Sequence, residues 1–572
     1  MRIILVLTCI AFLHVVGGFK TLKPLSHMKL PTSLSSRGEE LFIGINHGAA
    51  EAAAYDHLNS IVYVIGRSGR LMHVIDIQDP AHPSRLFRHK FAVAEGFPQA
   101  IAICGGEIAV ALSAQPDTNN GQVRFFHTYS RNSKATDVAL VGNMTVGPHP
   151  KHLRYTDDCD TVVVSNEGIA GKDSAGNYVN PEGSITIIHR EKTANRSARM
   201  VDFHSYNIGQ PNFNMQIRVP SLYIPKSFYN GDTTVAQDIE PEHVTISGDG
   251  SRAWVTIREN NAIVEMSLSS STITRITPLP KKVWNALPID VSDRDGGIHR
   301  RTYAGLQSLR QPGAIARMIA GNKEFLVTAD AGGVKRYTAI QHGFVWTDYA
   351  YGSAIANKIE GDALKANASN NELLGRIMVS TVDGKNPYTG MHSHFEMFGG
   401  RGFSIWDTSN IQAPVFDTEG TLEEYMESFY REVFNTEHVT ETSNYSSPEM
   451  NRDFSSKFQG AYVSSIDVQD DNGTVYLVAG TWSTGTLFLY TVDTSSGQPI
   501  PQFQTIHRAG TSDLPWDDLY TQDTIGDLHI STVGIIPSTK SPNNRTLLFV
   551  AASGSGSLSL YEIADNVPVI IP

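Results

Sequence analysis

A short recurring pattern constrains the fold of this chain more than any other feature of its sequence. Each copy is a proline, two or three small or polar residues, and an apolar run of alternating character that turns at Gly or Asp and continues as a second run. Alternation with a period of two and turns at Gly, Asn or Asp are typical of β-strands joined by hairpins. The clearest copies begin at Pro98, Pro150, Pro241 and Pro312.

Three weaker copies complete the set, at residues 51–77, 461–491 and 531–563. Small β units cannot bury their faces alone, so they stack radially as a β-propeller or linearly as a β-solenoid. The units are longer than a solenoid coil, which favours the propeller. We therefore predict an all-β protein, a β-propeller of seven blades. The count becomes eight if residues 376–407 form a blade rather than the outer strands of their predecessor.

The chain is longer than seven blades require. Blades of common propellers take about 40 to 50 residues, and this chain has 572. We expect the excess in long loops inserted on one rim, where propellers usually bind ligands. The predicted insertions are residues 168–181, 191–240, 277–311, 338–374 and 408–459.

The first 18 residues have the composition of a cleavable secretory signal peptide. Arg2 precedes an apolar run at residues 3–12, and Gly17 and Gly18 end the segment. It is too short for a stable anchor, and no later stretch reaches ~18 apolar residues. An uncleaved anchor is the alternative. We predict a secreted, extracellular protein without a transmembrane segment, free or associated with the cell surface.

The remaining boundaries follow from the repeats. Residues 19–40 are predicted to be an N-terminal extension, residues 41–566 a single propeller domain and residues 567–572 a C-terminal tail. We expect strands near residues 41–45 and 558–563 to meet and close the ring, because closure removes exposed sheet edges.

Acceptor sequons for N-glycosylation support the prediction that the protein is secreted. Several fall in predicted turns or insertions, where a glycan can be tolerated. The six acceptors are Asn143, Asn195, Asn367, Asn444, Asn472 and Asn544.

Cys104 and Cys159 are the cysteines that remain after removal of the signal peptide. They lie in successive repeats, both at the hairpin between the first two strands. An oxidising compartment permits a disulfide, but tips of adjacent blades can lie farther apart than the roughly 7 Å that a bridge allows between Cα atoms. Both the bridged and the free state therefore fit the sequence.

The net charge of −12 disfavours nucleic-acid binding. The sequence also lacks a stripe of Lys and Arg interleaved with aromatic residues, which nucleic-acid-binding surfaces usually have. An acidic secreted chain suits cations or basic partners, although ordinary solubility explains the charge equally well.

The densest acidic feature contains Asp290, Asp293 and Asp295, followed by two glycines. Ca²⁺ takes six to eight oxygen ligands, and glycines let a tight loop direct carboxylates and carbonyls at one point. We predict that Asp293 and Asp295 bind Ca²⁺ with help from Asp290 or a channel glutamate. The alternative is a solvated turn paired with Arg300 or Arg301.

A second acidic set lies where first strands begin and should converge on the central channel. Its members include Glu51, Glu240 and Glu242. Carboxylates gathered around an axis repel one another unless a cation or basic side chains neutralise them. The set therefore predicts either a channel cation or pairing with residues such as Lys151 and Arg452.

Linear catalytic motifs are absent from the sequence, including G-x-S-x-G, the phosphate-binding loop, H-E-x-x-H and C-x-x-C. Propeller enzymes can assemble a site from several blades, so this lowers the expectation of catalysis without excluding it. His392 and His394 share one face of a predicted strand with Glu396, but no further zinc ligand is evident. We interpret them as surface histidines.

Several stretches together resemble the choice-of-anchor I family, and within it the mesenchyme-specific cell-surface glycoproteins linked to biomineralisation. The similarity covers nearly the whole chain after residue 40. The stretches are SNEG at 165–168, NPEGSI at 180–185, EPEHVTISGDG at 240–250, ENNAI at 259–263, SDRDGG at 292–297, ADAG at 329–332 and FGGRGFSIWD at 398–407.

The resemblance implies a secreted or surface-attached propeller without established enzymatic activity, acting in a mineralising extracellular matrix. Matrix proteins, carbohydrate or a mineral surface would be its partners, and Ca²⁺ its cation. The chain departs from the family pattern at residues 329–332, 457–460 and 527–530, where acidic residues typical of relatives are missing. The alternatives are a metal-dependent hydrolase of the phosphatase or lactonase kind, and a receptor-like module that binds through rim loops.

Overall fold

Seven four-stranded antiparallel sheets form the blades of a β-propeller in the computed structural model. The structure describes residues 19–132, 135–190, 196–225, 233–338 and 345–566. The innermost strand of each blade contacts that of the next, and the seventh contacts the first, so the arrangement is radial. The predicted fold class and the predicted seven blades are therefore confirmed.

Each of the first four blades is built from consecutive or nearly consecutive strands, from the channel outward. Blade 1 contains Ala52–Asp56, Ile61–Gly66, Leu71–Asp76 and Ser84–Lys90; blade 2 contains Phe97–Cys104, Glu107–Ser113, Asn120–His127 and Leu140–Pro148; blade 3 contains Pro150–Tyr155, Thr161–Asn166, Ser184–Arg190 and Arg196–Val201; blade 4 contains Pro241–Ile246, Arg252–Ile257, Ala262–Ser267 and Thr272–Pro278.

The last three blades contain the long insertion and the closure of the ring. Blade 5 contains Ile315–Ala320, Lys323–Ala329, Phe403–Asp407 and Phe416–Asp417; blade 6 contains Val463–Asp471, Thr474–Thr481, Thr486–Asp493 and Ile500–Arg508; blade 7 contains Ile530–Ile536, Leu547–Ala552, Ser557–Asp565 and, as its outermost strand, Lys20–Lys29.

Insertions outside the blades carry small sheets and short helices. A five-stranded sheet joins Lys282–Val283, Leu306–Leu309, Phe395–Phe398, Met378–Ser380 and Tyr349–Tyr351, and two-stranded ribbons pair Ser33–Leu34 with Glu40–Leu41, Gly171–Lys172 with Tyr178–Val179, and Arg336–Thr338 with Val345–Thr347. The α-helices of the described residues are Val235–Asp238, Asp362–Ser369, Thr421–Phe429 and Trp516–Thr521, and the 3₁₀ turns are Val93–Glu95, His204–Tyr206, Pro220–Tyr223, Gly352–Lys358, Arg431–Val433, Thr440–Thr442 and Ser538–Lys540. None of the described helices is long and apolar enough to cross a membrane.

The recurring proline has a structural reason in the innermost strands. Pro98, Pro150 and Pro241 lie at the start of these strands, and the strand register shifts directly after each of them. Proline cannot donate a ladder hydrogen bond, so it is tolerated at a strand start or a bulge. Pro312 precedes its strand by three residues.

Each of the seven contacts between neighbouring blades buries its own apolar cluster. Trp254 of blade 4 and Trp406 of blade 5, for example, are both fully buried in one of them. Hydroxyl groups also donate to backbone carbonyls of the following blade near the strand starts. The pairs are Ser165 with Glu242, Thr256 with Gly313, Ser464 with Ile530 and Ser531 with Ala50.

The strand that closes the ring differs from the predicted one. Lys20–Lys29 pairs antiparallel with Ser557–Asp565, so closure comes from the segment that we predicted to be an N-terminal extension. Glu40–Leu41 instead forms a short ribbon with Ser33–Leu34, and residues 42–45 are not a strand. The prediction that residues 41–45 close the ring is therefore wrong.

Residues 376–407 do not form a separate blade. Phe403–Asp407 is the third strand of blade 5, whereas Met378–Ser380 and Phe395–Phe398 belong to the five-stranded sheet outside the ring. The chain leaves blade 5 after Ala329 and returns at Phe403, so this insertion interrupts one blade.

The closing strand makes the stability of the ring pH-dependent through His27. Burial lowers the pKa of His27, but the carboxylates of Asp523 and Asp527, 3.5 and 3.6 Å from its ring nitrogens, outweigh burial and raise it to about 9. Since the folded pKa exceeds the unfolded value of 6.5, the stabilisation is complete below that pH and disappears as pH rises through about 9. We expect His27→Gln to cost on the order of 2 kcal/mol at pH 6 and little at pH 9.5. Chemical denaturation at both values checks this, and an equal loss at both would contradict it.

Candidate cation site and central channel

Three aspartates from two distant loops converge beside blades 5 and 6. Asp290 and Asp295 come from the acidic loop, and Asp453 comes from the insertion before blade 6. One carboxylate oxygen of each lies within 4.8 Å of those of the other two. In the described part of the chain this is the only set of three or more Asp, Glu, His or Cys groups with such geometry. The structure thus brings together two of the three predicted loop ligands and adds Asp453.

The three carboxylates form no ion pair with a described basic residue, although the backbone N–H of His299 donates to Asp290 and the hydroxyl of Ser456 donates to Asp453. Asp290 is 0% and Asp453 6% exposed. Burial, with repulsion from neighbouring carboxylates, raises the pKa of Asp290 to about 7 and that of Asp453 to about 9. Burial also raises the pKa of Asp295, whose Oδ1 is buried without a hydrogen-bond partner. A bound divalent cation would allow all three groups to ionise.

Asp293, the other predicted Ca²⁺ ligand, points into a different environment. Arg376 donates to both of its carboxylate oxygens, at 2.8 and 3.0 Å, and Lys457 forms an ion pair with it. Both oxygens are therefore occupied by protein cations. The structure does not place Asp293 in the candidate ligand set.

Arg401 connects the two loops of the cluster through hydrogen bonds. Its guanidinium donates to the backbone oxygen of Asp290 at 2.6 Å and to the buried carboxylate of Glu423 at 2.7 Å. It also donates to the backbone oxygens of Ser456 and Phe458, next to Asp453. The FGGR stretch that contains Arg401 and the SDRDGG stretch therefore meet at one site.

Basic side chains neutralise part of the predicted channel set. Glu242 lies 2.8 Å from the guanidinium of Arg258, and Glu240 lies 2.7 Å from Nζ of Lys335. Lys151 lies 3.4 Å from Glu167, and the charges of Glu167, Glu242 and Glu51 act to raise its pKa.

We predicted either a cation in the channel or pairing of its glutamates with basic residues, and the observed contacts correspond to the pairing. Lys151 takes part as expected, whereas Arg452 is exposed and Arg258 and Lys335 were not anticipated. Glu51, Glu240 and Glu242 do not come together as a ligand set among the described residues. Burial raises the pKa of Glu240 to about 8 in spite of Lys335. Further negative charge in the channel would therefore be energetically unfavourable.

The two histidines of the His-Ser-His stretch lie in different environments. His394 Nε2 lies 2.9 Å from Oε1 of the buried Glu396, which also forms an ion pair with Lys281. His392 is 2% exposed, and burial lowers its pKa. The interpretation of both as surface histidines is therefore wrong for His392.

Cys104 and Cys159 form a disulfide between blades 2 and 3, with their Cα atoms 5.4 Å apart. The sequon asparagines Asn143, Asn444, Asn472 and Asn544 are exposed, and Asn367 is half-buried in a helix. Asn195 lies outside the described residues, as does the predicted signal peptide.

The ion pairs of Asp293 predict a specific loss of stability. Asp293→Asn leaves Lys457, whose side chain is 4% exposed, and Arg376 without a counter-charge, so we expect a cost of roughly 3–5 kcal/mol. The double variant Asp293→Asn/Lys457→Met should recover part of this loss, because it removes a buried charge together with its partner. Denaturation curves of both variants measure the effect. A change below about 0.5 kcal/mol in the single variant would exclude the predicted role of these ion pairs.

Comparison with known proteins places these residues in a family context. The sequence profile described as Choice-of-anchor I domain matches residues 51–495. The chain is 20% identical to the Mesenchyme-specific cell surface glycoprotein of Strongylocentrotus purpuratus, covering 91% of this chain and 84% of that protein. It is 24% identical to Gigasin-3a of Magallana gigas over 33% of this chain and 65% of that protein.

Solved structures with similar architecture are distant in sequence. A chain of Kuenenia stuttgartiensis hydrazine synthase is 10% identical, with 93% of this chain and 100% of that chain covered and a TM-score of 0.42. The Dos1 propeller is 9% identical, with 95% of both chains covered and a TM-score of 0.38. At these values the structural similarity carries no inference about function.

Proposed function

We propose that this chain, which belongs to the choice-of-anchor I family, is a secreted glycoprotein of the extracellular matrix or cell surface that holds a divalent cation, Ca²⁺ by preference. The cation would have a structural role, and matrix components or a mineral surface would be the partners. The name of the Strongylocentrotus purpuratus relative, a cell surface glycoprotein, supports the location. The mineral context rests on the family resemblance.

The observation that carries the cation proposal is the convergence of Asp290, Asp295 and Asp453 without a basic partner among the described residues. Elsewhere on the described chain buried carboxylates such as those of Glu242, Asp348 and Glu423 have arginine partners. Hard cations with oxygen ligands are the natural partner of three converging carboxylates, and the flexible coordination of Ca²⁺ suits ligands from separate loops.

The burial of the cluster favours a structural cation over a catalytic one. A hydrolase metal needs an open coordination position that a substrate can reach. Asp290 and Asp453 are almost fully enclosed. A cation held there would instead lock the acidic loop to the insertion before blade 6, next to the contacts of Arg401.

The secretory part of the proposal rests on the signal-peptide composition of residues 1–18 and on the sequons. The side chains of Asn143, Asn444 and Asn544 are exposed and can carry glycans, whereas Nδ2 of Asn472 donates to Asp471 and Ser538. The disulfide between Cys104 and Cys159 is consistent with an oxidising compartment.

Calcium should stabilise the protein through this cluster. At a free concentration of 100 times Kd, binding would add ~2.7 kcal/mol to the free energy of unfolding. We expect the apparent melting temperature of the wild type to rise by several degrees between excess chelator and millimolar CaCl₂. The responses of Asp290→Asn, Asp295→Asn and Asp453→Asn should be much smaller.

Asp293→Asn is the matched control, since it removes the same charge from the same loop outside the ligand set. It should melt at a lower temperature than the wild type and yet keep the full calcium response. An unchanged wild-type melting temperature would contradict the cation proposal. So would a calcium response abolished only in Asp293→Asn.

Glycan occupancy and the N-terminus test the secretory proposal. Protein secreted from eukaryotic cells should begin near Phe19 and carry glycans at Asn143, Asn444 and Asn544, which are exposed. Occupancy should be lower at Asn367, which is half-buried. Mass spectrometry with and without enzymatic deglycosylation measures both. A retained N-terminal segment together with unmodified asparagines would reject the proposal.

A further inference from the structure

A cavity of about 510 Å³ lies between the insertion of blade 5 and the loop that precedes blade 6. Its volume is within the range of roughly 300–1,000 Å³ that is typical of small-molecule sites. Neither the acidic cluster nor the channel network uses this space.

Aromatic side chains form one wall because of strand alternation. Val345, Thr347, Tyr349 and Tyr351 all line the cavity, as expected for every second residue along an extended segment. The two tyrosine rings lie 6.2 Å apart, edge to face. Phe398 and Phe458 add apolar surface from two other segments.

Two of the lining rings, those of Tyr351 and Phe458, lie against cations that are paired with Asp293. The guanidinium of Arg376 lies 5.4 Å from the ring centre of Tyr351, and Nζ of Lys457 lies 5.1 Å from that of Phe458. Both cations are bound by Asp293. The rings are therefore held in place before any ligand arrives, which reduces the entropic cost of binding.

Polar groups with free hydrogen-bonding capacity face the same space. The hydroxyls of Tyr349 and Tyr351 and the side chains of Arg336 and Gln459 have no hydrogen-bond partner in the described parts of the chain. Glu437 is held by Ser483, at 2.7 Å, and lies 3.5 Å from His529. Among the lining residues that the structure describes, the charged ones are Arg336 and Glu437, one of each sign.

We infer that this cavity binds a short neutral saccharide. The C–H faces of sugar rings pack on aromatic faces, where the partial positive charge of the hydrogens meets the negative π surface. Hydroxyl groups need both donors and acceptors, and the tyrosines, Arg336, Gln459 and Glu437 supply them. The balanced charge gives no advantage to sulfated or carboxylated sugars. The inference deepens the proposed extracellular role, because it assigns a ligand class to one surface of a matrix protein.

The test uses the full secreted protein and three neutral trisaccharides, namely maltotriose, cellotriose and triacetylchitotriose. Calorimetry measures affinity, and saturation-transfer NMR identifies the sugar protons nearest the protein. Binding of at least one probe is expected, with the strongest transfer to ring C–H protons. Tyr349→Ala/Tyr351→Ala should weaken it at least tenfold, and Gln459→Ala more modestly.

Two further variants separate ring stacking from hydroxyl contacts and from general effects. Tyr349→Phe/Tyr351→Phe keeps the rings and should lose less affinity than the alanine pair. Tyr388→Ala removes a tyrosine that is 95% exposed and does not line the cavity, and it should bind like the wild type. If the alanine pair does not fold, the transfer pattern of the wild type and Gln459→Ala still decide the question.

Several results would overturn the inference. Absence of binding by all three trisaccharides would do so, as would binding of a heparin-derived tetrasaccharide or a basic peptide alone. Unchanged affinity in both the alanine pair and Gln459→Ala would place any binding elsewhere. A calcium response without saccharide binding would refute the saccharide site and support the proposed cation role. Saccharide binding without a calcium response would support the saccharide site and refute the cation role.

Discussion

The antiparallel pairing of Lys20–Lys29 with Ser557–Asp565 is the contact on which the remaining structure depends. It joins the two ends of the chain within one blade and leaves blade 7 packed between blades 6 and 1. A propeller leaves only short, protected sheet edges, and contact between the first and last blades lets all seven apolar interfaces form. Long insertions are then held at fixed positions around the ring. A closed ring is the reason why residues as distant as Asp290 and Asp453 can meet with defined geometry.

Charge compensation separates the structural carboxylates from the candidate ligands. Most buried acids of the described chain have an arginine or lysine partner, as Glu242 has Arg258 and Asp348 has Arg218. Asp290, Asp295 and Asp453 do not, and burial raises the pKa of each. Since an unpaired buried charge costs several kcal/mol, protonation or a bound cation would lower the free energy of this cluster. Asp293 then serves a different purpose, because its ion pairs support the aromatic wall of the neighbouring cavity.

The blades could be predicted from sequence because their information is local. Alternation and turn residues identify each hairpin, and the proline marks each strand start. The closing strand escaped prediction because it is an outer strand, mostly half-exposed, in which Leu22 alone is fully buried and Pro24 interrupts the pattern. The site was only half predictable. The acidic loop is visible as a motif, whereas the contribution of Asp453 depends on contacts between residues more than a hundred positions apart. Arg401 lies in a stretch that resembles the family, but nothing in its spacing indicates which loops it joins.

The most direct test of this account is an experimental structure of the secreted protein crystallised with Ca²⁺, with anomalous scattering used to locate the ion. We expect one ion within about 2.3–2.6 Å of carboxylate oxygens of Asp290, Asp295 and Asp453. Asp293 should remain paired with Arg376 and Lys457. Three aspartates hydrogen-bonded to one another without an ion would contradict the proposed cation site, as would an Asp293 that left its ion pairs to join the coordination shell.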